Sequence, residues 1–165
     1  MPPDHVPVQR TAPLQDILGM VGTELGVSDW LMVDQPRITG FAEATADFNT
    51  VHLDPAVGRA WGFEGTIAHG FLTLSLILRL QEGLVPIPDN LVKGFNYGLE
   101  KVRFISPVPC GKRVRGRFSL RDFRERAPGA WLATIDVAIE VEGSDRPALT
   151  CQWLAISYVP TEPAG

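Results

Sequence analysis

Gly70-Phe71-Leu72-Thr73-Leu74-Ser75-Leu76-Ile77-Leu78-Arg79-Leu80-Gln81-Glu82 is a segment around which the rest of the chain must be arranged. Its large apolar residues fall on nearly every side of a helix, and Gly83 comes next as a C-terminal stop. A helix hydrophobic all round has to be enclosed. The C-terminal half of the chain can enclose it. Runs at 91–105, 112–124, 130–142 and 147–159 end in turn residues such as Ser106-Pro107, Ala127-Pro128-Gly129 and Gly143-Ser144-Asp145, and they read as strands. In the third run Trp131, Ala133, Ile135, Val137, Ile139 and Val141 alternate with Leu132, Thr134, Asp136, Ala138 and Glu140, which gives one buried face and one partly solvated face. Upstream, Leu14 to Val21 reads as a short helix and Val27 to Val33 as a first strand. Asp34 with Pro36 starts a helix that carries Ile38, Phe41, Ala42 and Thr45 on one face and ends near Asp47. Asp54 with Pro55 starts another, through Ala60. Helices followed by a run of strands predict an α+β fold, a curved antiparallel sheet wrapped around one long buried helix.

The 165 residues, 45% hydrophobic and 21% charged, suffice for one domain over 1–165, with loose Pro-rich ends at 1–13 and 160–165. The longest apolar run, Phe71 to Leu78, is far short of the ~20 residues of a membrane span, and the first ten residues lack a signal pattern. A cytoplasmic protein without a membrane partner is expected. Cys110 and Cys151 lack Cys-x-x-Cys spacing and read as buried free thiols.

Charge is uneven. Residues 1–100 carry 5 basic against 12 acidic groups, 101–126 carry 9 against 2, and 127–165 carry 1 against 5. Arg113, Arg115, Arg117 and Arg121 recur at period two against Val114, Gly116, Phe118 and Leu120, so one strand has a cationic outer face. That face is either a solvated sheet surface or an anion site suited to phosphate. The net charge of −4 and the absence of interleaved aromatics argue against nucleic acid and leave a small phosphorylated ligand as the candidate anion.

The candidate chemistry lies in Ala46-Asp47-Phe48-Asn49-Thr50-Val51-His52-Leu53-Asp54-Pro55 and in Ile67-Ala68-His69-Gly70. Asp47 and His52 flank a tight bend and could converge on one water, the acid and base groups that proton transfer needs. Gly70 sits in the first turn of the apolar helix, where N–H groups lack internal partners, and a bare glycine admits a ligand oxygen close to its N–H. Each residue also has a plainer reading, Asp47 as a cap and His52 as a satisfied core histidine. His52, Asp54 and His69 resemble a two-His-one-carboxylate iron set, although Asp54 is already explained as a cap before Pro55.

Asp47-x-Asn49-x-x-His52-x-Asp54-Pro55 followed by Ile67-Ala68-His69-Gly70-Phe71-Leu72-Thr73 resembles the signature of the MaoC-like hydratases, the R-specific enoyl-CoA hydratases of the hot-dog fold. Gly22-Thr23-Glu24-Leu25-Gly26 and Asn96 to Phe104 are similar to the single-domain branch that includes nodulation protein N. The resemblance spans about 14–159. It implies a homodimer that adds water reversibly to trans-2-enoyl-CoA to give (R)-3-hydroxyacyl-CoA, with no metal or redox cofactor. On that reading Asp47 and His52 activate water, the Gly70 N–H binds the thioester oxygen, and Asn49 orders the loop beside the substrate. His69 would contact substrate, and Lys101 and Arg103 would meet the coenzyme A phosphates. Two positions depart from the pattern: Ala46 stands where many members have Gly, and Thr50 where they have Pro. Since alanine resists positive φ, a bend in ordinary backbone conformation is expected at Ala46. A hot-dog acyl-CoA thioesterase and a non-catalytic acyl-CoA or acyl-carrier binding protein are the competing readings.

Overall fold

The structure is a computed structural model and describes residues 7–161. In chain order its elements are β1 (Arg10–Ala12), α1 (Leu14–Gly19), β2 (Glu24–Val27), β3 (Leu31–Val33), α2 (Gln35–Thr45), α3 (Thr50–Leu53) and α4 (Pro55–Ala60). There follow α5 (Gly70–Ser75), α6 (Ile77–Leu80), β4 (Pro86–Pro88), β5 (Lys93–Phe104), β6 (Lys112–Ala127), β7 (Ala130–Val141) and β8 (Leu149–Tyr158).

Four long strands were expected, and four form, each a little shorter or longer than its apolar run. They build an antiparallel sheet in the order β2-β6-β7-β8-β5, with β3 also on β6. The alternation in β7 has the expected result from Ile135 onward, where Ile135, Val137, Ile139 and Val141 are buried toward the helices while Asp136 and Glu140 face outward. Before it, Leu132 and Thr134, expected on the partly solvated face, are buried too, Leu132 in a second small cluster with Leu154 and Ile156. β5 closes one end of the sheet, pairing among the described residues with β8 alone. The core gathers Val33, Ile38, Leu72, Leu76, Ile77, Leu80, Val114, Phe118, Leu120, Ile135 and Ile139 between helices and sheet.

The expected strand over 27–33 is in fact two, β2 and β3, both on β6. Ser28 breaks it: its N–H donates to the Gly116 carbonyl at 2.8 Å and its hydroxyl accepts the Gly116 N–H at 3.0 Å, so the side chain replaces a ladder bond. The start of the chain is more ordered than expected, because Arg10–Ala12 pairs in parallel with Pro86–Pro88. The expected loose residues 1–6 and 162–165 lie outside the described residues.

The apolar helix departs from expectation in two ways. It is interrupted at Leu76 (φ −67°, ψ −13°), so two short helices replace one long one. Nor is it enclosed on every side: Leu72, Leu76, Ile77 and Leu80 are buried, whereas Phe71 is 68% and Leu78 45% exposed. The exposed residues belong to a stripe, Phe71, Leu74, Ser75 and Leu78, that walls a cavity of about 570 Å³. The helix ends at Leu80 with Gln81 as its cap, and Gly83, the expected stop, lies in the turn beyond it at φ +71° with its N–H donating to the Val8 carbonyl. No helix among the described residues is long and apolar enough to cross a membrane.

Candidate active site

The segment from Asp34 to Asp54 places three groups by three successive caps. Asp34 accepts the Arg37 N–H at 3.1 Å and starts α2, Asn49 accepts the Val51 N–H at 3.3 Å and starts α3, and Asp54 accepts the Ala56 N–H at 2.7 Å and starts α4. Asn49 thus orders the loop. Asp54 is taken by its cap, which removes it from the iron set.

Between α2 and α3 the chain turns through Ala46, which sits at φ +57°, ψ +25°. The expectation of ordinary backbone there is wrong. Alanine takes the left-handed conformation where the resembling family's glycine would, at a cost of about 1–2 kcal/mol, so neighbouring contacts must hold the turn.

Asp47 is exposed, His52 half-buried and His69 buried, and one side-chain donor atom from each lies within 4.8 Å of the others. His52 Nδ1–H donates to the Ile67 carbonyl at 2.8 Å, which leaves Nε2 as the lone-pair nitrogen with no bond to a described residue. His69 Nε2–H donates to the Asp47 carbonyl at 3.0 Å, and its buried Nδ1 has no partner among the described residues. The two imidazoles stack with centroids 3.7 Å apart and planes 30° apart. That stacking bears on metal binding. An ion lies in the plane of each imidazole that ligates it, about 2.0–2.1 Å from the nitrogen, and planes stacked in this way share no point that close. The trio does not fit a shared ion.

The site opens in two directions. Asp47 lines the 570 Å³ cavity with Phe41, Phe71, Leu74, Leu78 and Trp153, an almost wholly apolar wall. His52 and Gly70 line a second cavity of about 290 Å³ together with Thr73, Phe104 and Ser106. Gly70 begins α5, where its N–H has no intrahelical partner. A glycine is also needed for a reason that was not expected: a Cβ there would come within 3.1 Å of the Phe104 ring, so the missing side chain makes room for Phe104.

Of the three expected ligand contacts, His69 and Lys101 lie elsewhere. His69 is 2% exposed and lines neither cavity; its ring packs against His52 and Phe41. Lys101, at φ +52° in a bulge of β5, lines a separate hollow on the outer face of the sheet with Arg117, Arg121 and Gln152. Arg103 donates to the Val102 carbonyl. The arginine strand is no open anion site either. Arg113 pairs with Glu142, Arg115 with Glu140, Arg117 with Glu140 and Glu24, and Arg121 with Asp136. Partial burial pushes Asp136 and Glu140 upward, but hydrogen bonds from these arginines, and from Gln152 to Asp136, outweigh it and hold both below the usual carboxylate range.

Gln35 was missed. Its amide donates to the His52 carbonyl at 2.9 Å and its oxygen accepts the Thr66 hydroxyl at 2.6 Å, binding α2, α3 and the 66–69 segment together. Phe104 was missed too. Nothing local in the sequence marks either one, since each acts on a residue far along the chain.

With this geometry in view, the likeness to known proteins is informative. Residues 16–141 match the MaoC like domain family. Nodulation protein N of Rhizobium meliloti is 44% identical over 145 residues, covering 87% of this chain and 90% of the relative. The 3-hydroxyacyl-thioester dehydratase Z of Mycobacterium tuberculosis is 41% identical over 144 residues, covering 87% and 94%. Among solved structures, the (R)-hydratase from A. caviae involved in PHA biosynthesis superposes with a TM-score of 0.67 at 27% identity, over 85% of this chain and 96% of that one. The MaoC-like dehydratase from Rhodospirillum rubrum gives 0.70 at 19% identity, over 90% and 98%. The chain belongs to the MaoC-like domain family and has its hot-dog fold.

Proposed function

We propose that this protein is a hydro-lyase that adds water reversibly to trans-2-enoyl-CoA and forms (R)-3-hydroxyacyl-CoA without a metal or redox cofactor. The observation that carries the reading is the meeting of the Asp47 carboxylate and the His52 ring, whose Nε2 has no bond to a described residue, at the junction of an apolar cavity and a second opening that reaches Gly70.

Water held between Asp47 and His52 loses a proton to this pair as its oxygen bonds to C3 of the enoyl thioester. The C2–C3 double bond gives up its electrons toward the thioester carbonyl, whose oxygen gains negative charge and is met by the Gly70 N–H. The proton then goes to C2, so the sum is one water added. The apolar wall of Phe41, Phe71, Leu74 and Leu78 takes the acyl chain. Reading the protein as a homodimer accords with the exposed Phe71, Leu78, Phe95, Tyr97 and Leu99, residues of the kind a second copy covers.

The test is the loss of enoyl-thioester absorbance when metal-free protein meets crotonyl-CoA or a longer trans-2-enoyl-CoA, followed by chiral analysis of the product. Hydration to the R-3-hydroxy product is expected. Release of free thiol without hydration would make the protein a thioesterase, and binding without turnover would make it a carrier.

A further inference from the structure

We infer that His69 is a positioning residue that holds the Asp47–His52 pair in register, rather than a group that touches substrate. The inference deepens the hydratase reading and rests on it for its kinetic test.

Ala46 is where a restraint is needed. A left-handed alanine springs back toward ordinary backbone unless something outside the turn restrains it. α2 supplies no such restraint at Asp47: the nearest side-chain bond on the helix, from the Thr45 hydroxyl to the Phe41 carbonyl, points back into α2. The bond that does reach Asp47 from elsewhere comes from His69, whose Nε2–H meets the Asp47 carbonyl at 3.0 Å across 22 residues of sequence.

His69 is itself firmly held. It precedes α5, its carbonyl accepts the Thr73 N–H at 3.2 Å, and the preceding Ala68 N–H donates to the Val108 carbonyl at 2.8 Å. Its ring is tilted against Phe41 with centroids 5.0 Å apart and stacked on His52 at 3.7 Å. One ring, anchored on the core helix, therefore fixes the backbone of the acid and the plane of the base together. The orphaned Nδ1 fits this role. Burying a polar nitrogen without a partner is unfavourable, and a structural core position would favour an apolar ring; here the ring is kept for the donor on its other side.

The clamp predicts a division between two similar side chains. In His69→Gln the amide nitrogen reaches the place of Nε2 and can still donate to the Asp47 carbonyl. In His69→Asn it stops near the place of Nδ1 and cannot. His69→Asn should lose about 10²-fold in kcat with KM little changed, because displacing a reacting group by about 1 Å has that effect, and His69→Gln should recover most of the loss. His69→Phe keeps the stack without the donor and should fall with Asn. Equal rates for Asn and Gln, or wild-type kcat in the Phe variant, would overturn the clamp. Inactivity of the wild type would instead overturn the hydratase reading. A second readout needs no turnover. Amide exchange at Val51 and His52, bonded to Asn49, should quicken in His69→Asn while β7 stays protected, and unchanged exchange at both would also overturn the clamp.

Discussion

The outer face of the sheet and the bend at Asp47 are both rich in polar groups, and they treat those groups in opposite ways. On the sheet, Arg113, Arg115, Arg117 and Arg121 each meet a carboxylate across the strand, and Trp30 lies against the Arg115 guanidinium at 4.5 Å. At the bend, the Asp47 carbonyl, the Asn49 N–H and one nitrogen of each imidazole are bonded, while His52 Nε2 and His69 Nδ1 have no partner among the described residues. A saturated surface has little left for a ligand, whereas a held but unsaturated cluster does. Charge density was the more visible signal and proved the poorer guide.

That contrast is open to direct attack. Asp47→Asn or His52→Ala should reduce hydration by about 10²–10⁴-fold, the usual worth of a positioned acid or base, with the thermal midpoint almost unmoved in Asp47→Asn and lowered in His52→Ala, which also loses the bond to the Ile67 carbonyl. Wild-type turnover in either would erase the distinction between the two regions. Gly58→Ala probes the frame behind the bend. Its Cβ would overlap the Gly65 carbonyl oxygen, backbone against backbone, and Gly65 leads into the Thr66–Ile67 segment that holds Gln35 and His52. A loss of about 1–3 kcal/mol in denaturant unfolding is expected, together with slower turnover, and an unchanged midpoint would mean that the frame yields.

The smallest effect belongs to the ladder. Glu140→Gln should alter stability by less than about 1 kcal/mol and leave kcat alone, since its ion pairs with Arg115 and Arg117 are partly solvated. The pH dependence has a definite sign. Asp136, Glu140 and Glu142 lie below their ordinary values of 3.8, 4.5 and 4.5 in the folded chain, so their contribution is present above those values and fades as pH falls through the lowered ones. Urea titrations at acid and neutral pH should show a shallower acid loss in Glu140→Gln. A steep loss of activity in that variant would make the outer face part of the site after all.

Much of this was legible in the chain itself. Period two in β6 and β7 identified the strands because a sheet with one wet face leaves that alternation in the sequence. The Asp34 and Asp54 caps were legible because capping is a local bond, whereas Asn49 read as ordering the loop and the short helix it caps was not expected. The helix at Gly70 was only half legible, because an apolar residue looks the same whether it packs in the core, like Leu72, or lines a cavity, like Phe71. The partners of the arginines could not be read without register: Arg117 meets Glu24, which is 93 residues away. Ala46 misled for a related reason. A local preference was overruled by contacts from distant sequence, His69 above all.

β5 has one more consequence. Its partner β8 begins at Leu149, 45 residues after β5 ends at Phe104. At about 5–20 residues per second of synthesis, the strand waits several seconds beyond its own completion with both rows of backbone N–H and C=O groups open. Phe95, Tyr97 and Leu99 make it adhesive during that interval, while Lys93, Glu100, Lys101 and Arg103 toward its two ends act as gatekeepers against stray pairing. Translation rate and chaperone access should therefore weigh on the yield of this protein more than its final stability does, since its most adhesive segment is finished long before the strand that covers it.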